Sequence, residues 1–453
     1  MKIRSQIAPV NLFIILFVVA AMHLVAIVAS SVNLPYMDEW EALTGSTLAP
    51  ALNWSWVFMP HNEHRIVPTK ILTWILYKST GWHHIANVVF NFFLYMAELC
   101  AFIWMTRRAG SSRTVHDTGG LTTAEFVWCL LGLSGLAWEN HSWGFQSQFH
   151  FFLLFYFLSI GLAVGRERGF WLSGLVALAS AYSFSSGVIC AATVAGLMAT
   201  RAMAGLTPWR RALPQIALIV SGLVAWMSGF QKNSGHPEYS WPWTKAFWTH
   251  YLTMIGSGWS MPANLKIPVS AMVLTLVLVH FAMALTKLRG GRDNDKLEPL
   301  ITFGFAGAGL LAAAALTSFA RGAFGVEQAS TSRYTEVTFF ILPLAWTAMM
   351  RDREIGITRR IKRRHLTVIT TIFAICVAFF FAPMFAFTKV YKWQKTRMQA
   401  GRECVARYYA GTLPDGQICD TIYIAPLGPQ LERAKELNLA FTAEYRINRG
   451  VTP

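Results

Sequence analysis

Charge is what this 453-residue chain has least of: Asp, Glu, Lys and Arg together make up 14% of it, against 54% apolar residues. A soluble protein of this length needs more charge to cover its surface, so a soluble globular protein is excluded. Acid is the scarcer sign, with 23 Asp and Glu against 39 Lys and Arg. The resulting net charge of +16 would suit nucleic acid, but the basic residues fall in short links between apolar runs, mainly in every second link. That is the positive-inside pattern of membrane topology, and no nucleic-acid partner is expected. Cysteine is sparse too: six residues, with no CxxC and no His/Cys metal spacing. Cys100, Cys129, Cys190 and Cys376 lie inside apolar runs and read as small buried packers. No internal repeat of the kind that builds secondary carriers is visible.

What the chain does have is a series of apolar runs, each long enough to cross about 30 Å of hydrocarbon. The pattern predicts an all-α polytopic membrane protein with about eleven transmembrane helices. The first run, Val10 to Val32, follows Lys2 and Arg4 and is longer than a signal-peptide core, so it reads as a retained span entering from the cytoplasm. Further spans are expected near 84–106, 124–138, 171–182, 188–200, 216–230, 300–319 and 366–387, together with a fourth descending to Arg166, an eighth returning at Lys287 and a tenth leading to Arg351. Glu98 falls inside the second, where it is expected to have a structural pairing with a neighbouring helix. The cluster Arg351, Arg353, Arg359, Arg360, Lys362, Arg363 and Arg364 marks the strongest cytoplasmic anchor. The ninth run is rich in Gly and Ala, which favours close helix packing. Two regions follow: 1–387, spanning the membrane, and a small tail, 388–453, outside it. On that side, Cys404 and Cys419 are expected to close a disulfide.

Ionisable residues beside hydrocarbon are expensive, and a dense cluster there marks a site. The first outer loop, 33–83, carries Asp38-Glu39-Trp40-Glu41 and then His61-Asn62-Glu63-His64-Arg65. Its aromatics, Trp54, Trp56, Phe58, Trp74, Tyr77 and Trp82, suit helices lying at the membrane interface, one of them over Ile66 to Lys78. A second polar loop runs from Glu139 through Trp143, Gly144, Phe145 and Gln146 to Gln148. A third runs from Arg321 to Tyr334 and includes Arg333. All three fall on one side under the charge-based topology. Carboxylates there can act as general base or metal ligands. Arginine suits a phosphate, because its planar fork gives bidentate, charge-assisted hydrogen bonds. The plainer reading is that Arg321, Arg333, Glu327 and Glu336 pair among themselves.

An Asp-Glu-Trp in the first outer loop, after one N-terminal span and before interfacial helices, resembles the GT-C superfamily of membrane glycosyltransferases. His61-Asn62-Glu63-His64-Arg65, Trp143-Gly144-Phe145-Gln146 and Ser332-Arg333-Tyr334 resemble motifs of a bacterial branch of it. The likeness extends over roughly Pro35 to Thr338. It implies a multi-pass enzyme of the bacterial inner membrane, N-terminus cytoplasmic and C-terminus periplasmic, with interfacial helices in the first outer loop. Such an enzyme moves a sugar from a polyprenyl-phosphate donor to a surface polysaccharide or lipid-linked glycan, O-antigen modification being one instance. The acidic residue of the first loop maps onto Asp38 as catalytic base, with Glu39 as understudy. Arg333 and Arg321 would hold the donor phosphate, and His61, Glu63, His64, Arg65, Glu139, Trp143, Gln146 and Tyr334 would position donor or acceptor. Members differ in their need for a divalent metal, and no cofactor is expected to be required. Two other functions stay open: a transporter or flippase of lipid-linked glycans, and a polysaccharide polymerase or ligase.

Overall fold

The computed structural model describes residues 9–45, 47–110, 121–165, 168–288, 294–354, 387–413 and 418–446. In hydrocarbon no solvent can satisfy a backbone N–H or C=O, so apolar runs close their hydrogen bonds internally as helices. α1 (Pro9–Ser30) leads into the first loop, where a 3-10 turn (Met37–Leu43) precedes α2 (Trp54–Phe58) and α3 (Val67–Thr80). α3 carries Pro in its first turn and stops on Gly81 at φ 64, a left-handed cap that glycine adopts freely. α4 (His84–Gly110) and α5 (Thr123–Gly132) follow. α5 begins with a reciprocal capping box between Thr122 and Glu125. It stops after ten residues, with Gly135 at φ 74 turning the chain into α6 (Trp138–Ser142), so the single span expected over 124–138 is two short helices.

The chain continues through α7 (Ser147–Val164), α8 (Ser173–Ala181), α9 (Ser186–Met203) and α10 (Trp209–Met227). The long outer loop expected over 231–266 holds a helix, α11 (Lys245–Ser257), capped by the Thr244 hydroxyl accepting the Phe247 N–H. Phe247, Tyr251, Met254 and Ile255 recur at helical spacing and are buried, a pattern masked in the sequence by Trp248, His250 and Lys245 beside them. Then come α12 (Ala263–Lys287), α13 (Asn294–Arg321), α14 (Val326–Ala329), α15 (Ser332–Phe339), α16 (Ile341–Glu354), α17 (Phe387–Tyr409) and α18 (Gly428–Glu436). Among the described residues there is no strand, only an isolated bridge between His61 and His64.

Six described helices are long and apolar enough to cross a membrane: α1, α4, α7, α9, α12 and α13. α1 exposes Phe13, Ile14, Phe17, Met22 and Val25, an apolar surface suited to lipid. The chain is an all-α, multi-pass membrane protein. The other expected spans coincide with α5, α8, α10 and α16, which alone are too short or too polar to meet that measure. The expected span at 366–387 lies almost wholly outside the described residues, as do Cys376 and most of the expected basic anchor.

α4 packs along α7, and α13 packs against α9 and α12. Lipid gives little hydrophobic drive between helices, so close backbone approach matters more than in water. α13 supplies it through glycines: Gly307 lies against Val277, and Gly309 against Tyr156, whose hydroxyl donates to the Ala306 carbonyl at 2.9 Å.

A second hydrophobic core stands apart from this bundle. It joins the first loop (Leu34, Trp40, Leu43, Trp56, Trp82) to the tail (Met398, Val405, Ile422, Leu431, Phe441). Loop and tail therefore share one core and one end of the bundle. Within that core Cys404 and Cys419 form a disulfide. Closing a loop of this length contributes about 3 kcal/mol. Replacing both cysteines by serine is expected to loosen the tail by about that much, read as earlier proteolysis of residues 387–446 and a lower melting temperature. Neither thiol should take up a maleimide in unreduced protein, and both should do so after denaturing reduction.

Candidate functional site

The site starts at a strained turn. Met37 sits at φ 47, a left-handed conformation that costs a non-glycine residue on the order of 1 kcal/mol. Its N–H donates to the Ile422 carbonyl at 2.7 Å, so the tail holds the turn in place. The next two residues are carboxylates with different surroundings. Asp38 has 37% of its side chain exposed, and Glu39 has 4%. Burial pushes the Glu39 carboxyl up to about 8, although the backbone N–H groups of Tyr36, Phe145 and Gly144 favour its ionised form. The Tyr36 N–H donates to Glu39 Oε2 at 2.8 Å. Gly144 leaves room for this carboxylate, since a Cβ there would collide with Glu39 and with Asn87. Asp38 is raised by burial, while Arg333 and then Arg321 pull its carboxyl back down. Glu39 thus fastens the first loop to the second, and Asp38 faces the open space.

His61 and His64 exchange backbone hydrogen bonds at 2.8 and 2.9 Å around Asn62, which stands at φ 50. The His61 ring lies 3.3 Å from Glu41 and 4.0 Å from Asp38. Burial, then Lys70, holds it down at about 4, so it is neutral at pH 7. His64 is also driven well below its ordinary value, mainly by burial, and stacks on Phe184 at 4.5 Å. Glu63 reaches elsewhere: it pairs with Arg321 at 3.1 Å and with His236 at 2.5 Å. Arg65 is committed to three backbone carbonyls, those of Phe58, Trp226 and Ser228, and so closes the end of α10.

The second and third loops are tied together by Glu139. Its carboxylate accepts the Ser332 hydroxyl at 2.6 Å and the Arg333 N–H at 3.1 Å, satisfying free donors at the start of α15. Trp143 is buried edge-on against Tyr36, and Gln146 is buried beside Gln148, so both act as packing rather than lining. Arg333 carries its guanidinium over the Tyr334 ring at 5.5 Å, and its Nε is buried with no hydrogen-bond partner. Tyr334 itself is buried. Arg321 and Arg333 do not pair with Glu327 or Glu336; each faces a carboxylate of another loop instead.

Two spaces adjoin these groups. A polar cavity of about 240 Å³ is lined by Asp38, Glu41, His61, Lys70, Gly144 and Phe145 among others. A largely apolar groove of about 330 Å³ runs along Val188, Trp226, Phe230 and Leu316 to Glu63, His64, Arg321 and Tyr334. Within the first, Glu41 is raised to about 7 by burial, then by Asp38, against the pull of Lys70. Lys70 is lowered to about 8 by burial, and its ammonium donates to the carbonyls of Trp56 and Met59.

Sequence reasoning named the three loops but passed over Lys70, His236 and Arg397. Lys70 is one cation on an interfacial helix, and His236 one polar residue in a long link. Arg397 comes from the tail and lies over Tyr36 at 5.6 Å. Only the alternation of aromatic and basic residues in α17 hinted at that contact. Comparison of the chain with models of protein families, with curated proteins and with solved structures finds no match.

Glu39 makes a prediction about stability. Its folded value, about 8, lies above its ordinary 4.5, so the folded chain holds this proton more tightly than the unfolded chain. The stability it contributes is full below pH 4.5 and is lost as pH rises through about 8. The melting temperature in detergent is expected to fall by several degrees over that window. Glu39→Gln should flatten the dependence, although its absolute stability drops through loss of an acceptor oxygen. An unchanged slope in the variant would reject this assignment.

Proposed function

We propose that the protein is a GT-C-type glycosyltransferase that moves a sugar from a polyprenyl-phosphate donor to a surface polysaccharide or lipid-linked glycan. On this reading the chain crosses a bacterial inner membrane about eleven times, with the site on the periplasmic face. The observation that carries it is the polar cavity in which Asp38 stands beside Glu41 and His61, with the charges of Arg333 and Arg321 drawing its carboxyl back down. The groove that ends on Arg321 offers apolar wall for an isoprenoid chain, and the polar cavity offers room for a sugar.

The chemistry assigns each group a task. An acceptor hydroxyl attacks the anomeric carbon, the new C–O bond forms as the bond to phosphate breaks, and polyprenyl phosphate leaves with the electron pair. Asp38 takes the hydroxyl proton, a role that contributes typically 10²–10⁴-fold. Arg333 and Arg321 stabilise charge gathering on the departing phosphate. Glu41 and neutral His61 adjoin Asp38 and set when it can act as a base. Glu39, Glu139, Trp143 and Gln146 hold the frame. A carrier of lipid-linked glycans is the second reading, favoured by the buried carboxylates and histidine Glu98, Glu336 and His150 within the helices.

A transfer assay in membranes, with a panel of polyprenyl-phosphate sugars and lipid-linked glycan acceptors, tests the proposal. Asp38→Asn is expected to lower the rate about 10²–10⁴-fold at unchanged protein level and melting temperature. Native transfer should rise with pH through about 7, as Glu41 beside Asp38 loses its proton, and Glu41→Gln should shift that limb to lower pH. Full transfer by Asp38→Asn removes the base. Movement of labelled lipid-linked glycan across vesicles without transfer decides for the carrier.

A further inference from the structure

Deeper in the bundle lies a cluster that the proposed reaction does not use. Glu98 comes from α4, His141 from α6, His150 from α7 and Glu336 from α15, and all four are buried. His150 Nε2 lies 3.2 Å from the Asn140 carbonyl. A carbonyl can only accept, so Nε2 carries the hydrogen. The other nitrogen, Nδ1, is 2.8 Å from Glu336 Oε1 and 3.4 Å from Glu98 Oε2. An imidazole nitrogen and two carboxylates therefore face one another away from water, an arrangement that needs a proton or a metal ion between them. His141 adds an independent sign. Its ring is fully buried and neither nitrogen has a hydrogen-bond partner. Ligand atoms of His141, His150 and Glu336 all lie within 4.8 Å of one another.

We propose that these four residues form a structural site for a divalent transition-metal ion of the zinc type. Two imidazoles and two carboxylates make a closed four-ligand set of the kind that holds structural zinc, with ligand distances of about 2.0–2.2 Å. The surrounding hydrogen bonds suit it. His150 donates Nε2–H to a backbone carbonyl, and Glu336 Oε2 accepts the Asn140 amide at 2.8 Å, as ligands of a metal are usually held. A proton shared by His150, Glu336 and Glu98 would neutralise one corner but leave His141 unpartnered at both nitrogens; a metal takes His141 into the set. The ion would join four helices. Because Asn140 also donates to the Arg333 carbonyl at 3.0 Å, it would stiffen the frame under that arginine. No part of this inference depends on glycosyl transfer, and the ion is distinct from the more exposed Asp38, Glu41 and His61 group.

The full chain, purified in detergent and dialysed, is assayed for all transition metals by inductively coupled plasma mass spectrometry. About one zinc per chain is expected in the native protein, falling at least fivefold in His141→Ala and in Glu336→Gln. His61→Ala, which breaks the other His/carboxylate group, should keep its metal. After chelation, Zn²⁺ alone should raise the melting temperature of the native protein but not of His141→Ala. A native protein free of stoichiometric metal and unresponsive to added Zn²⁺ overturns the proposal, and so does metal lost with His61→Ala but retained by His141→Ala. The native measurement stands even if the variants fold poorly.

Discussion

A carboxylate taken out of water is costly unless donors surround it, and Glu39 is placed where backbone N–H groups of two loops converge. The Tyr36 N–H comes from its own turn, while those of Gly144 and Phe145 come from a loop more than a hundred residues away. The contact needs the missing Cβ of Gly144. It lets Asp38, one residue earlier, point into the cavity while its neighbour points into the fold. The strained Met37 turn and its bond to Ile422 complete the fastening from the tail side.

Charges in the loops follow the same division. Those that reach across loops hold structure: Glu139 satisfies the start of α15, Arg65 ends α10, and Glu63 joins Arg321 and His236. Asp38 is left facing space, while Arg333 is buried over Tyr334 with its Nε unsatisfied. Burial keeps His61 and His64 neutral at pH 7, so the cavity holds carboxylates, the His61 imidazole and one lysine of lowered pKa rather than a simple row of ion pairs, while His64 lies on the groove. Such clustering of shifted groups beside a cavity is typical of functional sites.

Much of the helical frame was legible beforehand, because a run of about 20 apolar residues admits few structures other than a spanning helix. α1, α4, α9 and α13 fall where the runs are, and α3 where the aromatic pattern of the first loop suggested it. α11 and the break between α5 and α6 were not legible. The first buries its apolar face beside three polar or aromatic neighbours, and the second turns on Gly135, whose conformation only packing selects. For the site, the sequence pointed to the right loops but not to the division of roles within them. Glu39 and Asp38 are adjacent and chemically alike, and Arg65 and Arg333 are both arginine beside aromatics.

The sequence by itself determined the class of molecule and the address of its polar groups, since hydropathy and charge act through composition along a single run. Only the tertiary structure decided which of those groups touch. It put the tail on the first loop, gave Glu139 to α15 and Arg321 to Glu63, and gathered Glu98, His141, His150 and Glu336 from four helices into one dry cluster. Such pairings join residues up to several hundred positions apart. They depend on packing geometry, and no local pattern along the chain encodes that.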